Sequence, residues 1–186
     1  MECVLISGLP ASGKTTLAEK LAKELGLKTA SGSQILIELA KEHGYKPATA
    51  NWWDTPDGMK FLHERASNPE YDMEVDKRLI ELASKGDVVI TSYTLPWLTD
   101  FGIKIWLEAS PEERAKRLSQ RDGLSLEEAK EIIKQRDIEN KDLYEKLYGI
   151  HLGSDFSPFH IVLDVNQLSA DKVAETVLEK IRKVRK

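Results

Sequence analysis

The chain has 186 residues, 41% hydrophobic and 31% charged, which is enough to bury one sizeable core, and a single domain spanning 1–186 is expected. A formal charge of -4 excludes a broadly basic nucleic-acid or membrane surface, so the expected partners are small molecules, with the protein itself a monomer or weak homodimer. The lone cysteine, Cys3, excludes an internal disulfide framework. The start of the chain lacks a signal-peptide pattern and no apolar run approaches the length of a membrane span, so a cytoplasmic location is expected. Abundant Glu and Lys with few Asn and Gln lean towards a thermophilic source.

From the N-terminus, Cys3-Val4-Leu5-Ile6 reads as a short buried strand, and Cys3 within it as a structural residue rather than a nucleophile. The next stretch, Ser7-Gly8-Leu9-Pro10-Ala11-Ser12-Gly13-Lys14-Thr15-Thr16, places Gly, four residues, Gly, Lys and Thr in a complete P-loop pattern. Leu17, Leu21 and Leu25 then recur every four residues, as one face of a helix does. Such a strand-to-helix junction binds phosphate, because first-turn N–H groups lack intrahelical partners and carry the positive end of the helix dipole. Gly8 and Gly13 let the backbone wrap a polyphosphate, Lys14 reaches its β/γ oxygens, and the Thr15 hydroxyl can ligate a bridging magnesium ion. The expected ligand is a nucleoside triphosphate, taken as ATP, contacted by Gly8, Pro10, Ala11, Ser12, Gly13, Lys14, Thr15 and Thr16.

Gly26 stops the first helix, Lys28-Thr29-Ala30 is a short second strand, and a helix runs from about Gln34 to Glu42. Periodicity fails from Tyr45 to Asp57, where Trp52 and Trp53 stand in an irregular segment, and Thr55-Pro56 restarts a helix. Asn68-Pro69 opens another helix, closed by Gly86, before a third strand over 87–91. A fourth strand covers 103–107, and Ser110-Pro111-Glu112-Glu113 starts a helix to about Arg121. A second capping box, Ser125 to Glu128, begins a long polar helix running towards Tyr148; a fifth strand at 160–164 and a terminal helix from Ser169 complete the chain. Five short apolar strands separated by helices predict a P-loop NTPase α/β fold, a three-layer α/β/α arrangement around a five-stranded parallel sheet.

These stretches together resemble the nucleoside monophosphate kinases, most closely the archaeal cytidylate kinases, as a diverged member. The resemblance spans nearly the whole chain and rests on the P-loop, on Ile-Glu-Leu-Ala-Lys-Glu-His-Gly at 37–44, and on Asp72-x3-Asp76-Lys77-Arg78. It continues through Ile105-Trp106-Leu107-Glu108-Ala109, the arginine-rich run from Arg114 to Ser125, and Tyr144-x3-Tyr148-Gly149-Ile150. It implies ATP on the P-loop, an acceptor-binding insertion over 34–85 and an arginine-rich lid over 117–148. Phosphoryl transfer needs positioning and charge neutralisation more than covalent help, which makes Lys14, Arg121 and Arg136 the expected catalytic residues. Arg117, one turn before Arg121, is expected at the triphosphate or on the adenine ring, while Arg114 is expected on a solvated charged face.

The chain departs from the family pattern at the acceptor. Gln34 and Ile37 stand where the family has an Asp and an Arg, Ser92-Tyr93 where it has Gly-Arg, and Leu143 in place of a lid arginine. Arg65 is the expected replacement for a lost cation. Trp52 or Trp53 stacks on an acceptor base or else packs the flap, and Asp54 hydrogen-bonds a base or sugar. Asp72 and Asp76 share a helical face and either read a cytosine amino group or pair with Arg78 and Lys77; Arg78 completes the expected acceptor set. The expected activity is ATP-dependent transfer to CMP or dCMP. A nucleoside or other small metabolite as acceptor, or an ATP-binding regulatory protein without turnover, are the alternatives.

Overall fold

In the structure, a computed structural model describing residues 2–47, 52 and 56–184, alternate residues of β1 (Cys3–Ser7) serve two different cores. Val4 and Ile6 face α1 (Lys14–Leu25) and α8 (Ala170–Val184), where Leu17, Leu21, Val173, Val177 and Ile181 converge. Cys3 and Leu5 face the opposite layer, formed by α2 (Gly32–Glu42), α3 (Pro56–Ser67) and α4 (Glu70–Lys85). The two-residue period of a strand thus distributes one apolar run between both faces of the sheet.

β1 is the middle strand of a parallel sheet ordered β2-β3-β1-β4-β5, with β2 at Lys28–Ser31, β3 at Val88–Thr91, β4 at Ile103–Glu108 and β5 at Ile161–Asp164. Because β1 lies between β3 and β4, the chain reverses its direction of winding at the carboxyl end of β1. Open α/β sheets hold ligands at that crevice, and the P-loop leaves β1 there. The three-layer α/β/α arrangement and its five parallel strands follow the expectation. β2 does not follow it in being apolar: Lys28 and Thr29 are exposed, and this edge strand is held by its register with β3.

Between β3 and β4 the chain makes a short helix, α5 (Leu95–Leu98), that periodicity did not signal. Its first turn is set by Ser92 Oγ, which accepts from Thr94 N and Leu95 N, while Leu95 is fully buried. After β4, α6 (Pro111–Asp122) and the 23-residue α7 (Leu126–Tyr148) form a hairpin closed by Gly123 in the left-handed conformation. Ala115 and Leu118 of α6 pack on Ala129 and Ile133 of α7.

Candidate active site

The P-loop conformation is enforced by glycine where nothing else fits. A Cβ on Gly8 would lie 2.6 Å from Ser12 Oγ and 2.7 Å from the Leu107 carbonyl, and Gly13 at the start of α1 has φ of 100°. Ala11 also adopts positive φ, 60°, a strained backbone in the loop itself. Lys14 Nζ donates to the carbonyls of Gly8 (2.7 Å) and Leu9 (2.9 Å) and lies 4.8 Å from the centre of the Tyr93 ring. Burial brings its pKa down to about 7; Arg114 pushes the same way and Asp137 opposes it.

Two arginines of α6 grip the loop from below. Arg117 donates through Nη1 to the Ser12 carbonyl and through Nη2 to that of Val165, with Nε on Glu113. Arg114 is not on a solvated face as expected: it is 1% exposed, bonded to the carbonyls of Ala109 and Pro10 and bidentate to Asp137 at 2.9 and 2.6 Å. The α6–α7 hairpin brings that carboxylate to it, so the residue's partner lies on the next helix and not among nearby glutamates.

A cavity of about 300 Å³ opens beside the loop. Pro10, Ala11, Lys14 and Thr15 line one side; Arg65, Asp72 and Asp76 line the other, and Arg121 and Arg136 also border it. Arg65 is held by Asp72 through Nε (3.0 Å) and Nη2 (2.7 Å). Asp76 accepts from Thr94 Oγ1 at 2.5 Å and Tyr148 Oη at 2.9 Å. Its burial raises the carboxyl pKa to about 6 against the pull of those two hydrogen bonds. Tyr144 lines the same cavity, its hydroxyl 3.4 Å from Asp72 Oδ1, and its ring lies 5.7 Å from that of Tyr93.

Other expected residues lie elsewhere. Arg78 points to Glu42 and Glu74, so neither it nor Lys77, which is 3.8 Å from Glu74, pairs with Asp72 or Asp76. Trp52 is 4% exposed and packs with Tyr45 and Phe61 in the core under α2–α4. Trp53 and Asp54 lie outside the described residues. Among the described residues no cluster of three or more His, Cys, Asp or Glu could hold a metal ion. Thr15, exposed at the first turn of α1 and lining the cavity, fits a magnesium ion carried in by phosphates.

Sequence reasoning gave no role to Tyr93, Tyr144 or Tyr148. The spacing of four between the two α7 tyrosines was the available signal, since it places both on one face. Chemically, the arrangement joins a helix N-terminus and a lysine, suited to phosphate, to a wall of carboxylates and hydroxyls suited to a polar acceptor.

Known proteins are similar to this chain in family and in fold. The family described as cytidylate kinase-like matches residues 3–167. The chain is 36% identical over 180 residues to a cytidylate kinase of Ignicoccus hospitalis, covering 95% of this chain and 97% of that protein. It is 35% identical over 171 residues to a cytidylate kinase of Pyrococcus horikoshii, covering 91% and 83%. Among solved structures, a shikimate kinase from Acinetobacter baumannii in complex with shikimate has a TM-score of 0.61 at 19% identity, over 98% of this chain and 94% of that one. A gluconokinase from Sinorhizobium meliloti gives 0.54 at 15% identity, over 98% and 93%. These two likenesses concern the fold.

Proposed function

The chain belongs to the cytidylate kinase-like family, and from that premise we propose that it moves the terminal phosphoryl group of ATP onto a nucleoside monophosphate, CMP or dCMP first. The observation that carries this reading is the single cavity that Lys14 and Thr15 share with Arg65, Asp72, Asp76, Arg121 and Arg136. Donor phosphates at the start of α1 and an acceptor against α3–α4 would meet within it.

On this reading the α1 N–H groups and Lys14 bind the triphosphate, and its oxygens compete with the Gly8 and Leu9 carbonyls for the ammonium group. Thr15 would hold magnesium together with the phosphates, and the ion when bound would supply charge neutralisation for the transferred group. Arg121 and Arg136 border the space where that group passes and stabilise the charge spread over its equatorial oxygens. A lid over 117–148 then excludes water. On the acceptor side Asp72 and Asp76 accept from a base amino group or sugar hydroxyl, with Arg65 at the acceptor phosphate. The protein is taken to act in the cytoplasm, as a monomer or weak homodimer without nucleic-acid or membrane partners; no helix among the described residues is long and apolar enough to cross a membrane.

A second reading, a kinase of a nucleoside or other small metabolite, is favoured by one feature. Arg65 is the cation of the α3–α4 wall, and both of its Asp72 bonds are already made, which leaves a dianionic acceptor weakly paired. ADP formation measured with CMP, dCMP, UMP, AMP, GMP, dTMP, cytidine and no acceptor, with products identified by mass, separates the two. Turnover with CMP or dCMP supports the first reading. Silence with every monophosphate, in a protein that binds ATP, rejects it.

A further inference from the structure

Arg114 is a fully buried guanidinium on α6, beside the apolar Ala115 and Leu118, and a buried charge is retained only where its partners are good. It has three: the Pro10 carbonyl within the P-loop, the Ala109 carbonyl at the end of β4, and both oxygens of Asp137 on α7. Asp137 directly follows Arg136, which borders the cavity. One ion pair therefore ties the phosphate loop, the root of α6 and the helix carrying an expected catalytic arginine.

We propose that Arg114 and Asp137 are positioning residues, a buried strut that fixes the P-loop to α7 so that Lys14 and Arg136 keep a common geometry about the transferred phosphoryl group. The inference rests on the nucleotide reading of the P-loop. Two observations support it. The next arginine along α6, Arg117, makes an equivalent grip on Ser12, so the loop is held at two points by one helix. The Ala11 side chain packs against the cluster of Ala115, Leu118, Ala129 and Ile133 that joins α6 to α7, so loop and hairpin share an apolar contact beside the ionic one.

A role confined to stability would lower the unfolding free energy and leave kcat of the folded protein untouched, so turnover and unfolding measured side by side distinguish the two. The test is acceptor-dependent turnover and MgATP affinity of the full chain at one pH, with cooperative unfolding measured alongside, in Asp137→Asn and in the apolar pair Arg114→Met/Asp137→Leu. In Asp137→Asn the Arg114 cation loses its counter-charge and its hold on α7, and kcat is expected to fall about tenfold, as for misplaced catalytic groups, with the KM for ATP changed less than kcat. The apolar pair keeps the packing, and if it unfolds cooperatively its kcat is expected to drop about tenfold or more.

A folded apolar pair with wild-type kcat, together with wild-type kcat in Asp137→Asn, overturns the strut. Should the apolar pair fail to fold, Asp137→Asn decides alone: a lowered kcat in the folded protein supports the proposal, and an unchanged kcat overturns it. Lys14→Met is the control, and ATP binding indifferent to that change overturns the nucleotide reading itself and the strut with it.

Discussion

Lys14 carries the clearest dependence on solution conditions, because the same burial that aims it at the loop lowers its pKa to about 7. Only the protonated amine binds triphosphate well, so affinity is full well below pH 7 and falls as pH rises through that value. Calorimetric titration with MgATP is expected to give a Kd about eightfold weaker at pH 8 than at pH 6.5, from the linkage of one proton to binding; a flat profile sinks the assignment. The pKa of Asp76 is shifted the other way, upwards. Its folded-state pKa of about 6 lies above the ordinary value of 3.8, so the native state binds the proton more tightly than the unfolded chain. Its contribution therefore favours folding at low pH and is lost as pH rises from about 4 to about 6. Asp76→Asn removes the buried charge, and its unfolding free energy is expected to exceed that of the wild type at pH 7.5 by about 2 kcal/mol, with the gap closing near pH 4. The same variant should bind acceptor less well; unchanged acceptor KM would place Asp76 outside the recognition site.

At the scale of elements, α6 is a rack of arginines whose successive side chains meet different targets: Arg114 the Pro10 carbonyl, Arg117 the Ser12 carbonyl, Arg121 the cavity. The start of the helix fixes where each one lands. Ser110 sets that start, its Oγ accepting from Glu113 N at 3.2 Å with Pro111 at the first helical position. Ser110→Ala is expected to cost about 1 kcal/mol and to speed amide exchange in the first turn of α6. Exchange accelerated equally in α8 would instead mean global destabilisation. α7 serves two ends of the site at once, with Asp137 and Arg136 beside the P-loop and Tyr144 and Tyr148 on the α4 carboxylates. Movement of that one helix changes both halves of the cavity together.

For the whole molecule, ligand binding and folding stability are coupled through this shared cavity. At an ATP concentration about a hundredfold above Kd the folded state gains about 2.7 kcal/mol, which for a chain of this length raises the melting temperature by roughly 5–10 °C. Differential scanning fluorimetry with and without MgATP measures this, and the shift is expected to vanish in Lys14→Met. A full shift in that variant would show that the triphosphate binds elsewhere.

What the sequence determined by itself is what depends on neighbours within one or two turns. The P-loop, the helix starts at Ser110 and Ser125, the stops at Gly26 and Gly86 and the buried run of β1 are local, and all appear where the residues placed them. The parallel sheet followed from those parts by the handedness of its crossovers. Tertiary structure alone decided the partners. Arg114 was misread because the carboxylate that neutralises it lies 23 residues away and arrives only when the α6–α7 hairpin closes. Tyr144 and Tyr148 each reach a carboxylate 72 residues distant, and Asp72 pairs with Arg65 instead of its sequence neighbours. Lys28–Ser31 is a strand by virtue of the β3 edge rather than its own polarity. A charged side chain's meaning depends on whether it is dry and on what faces it, and both are properties of segments brought together by the fold.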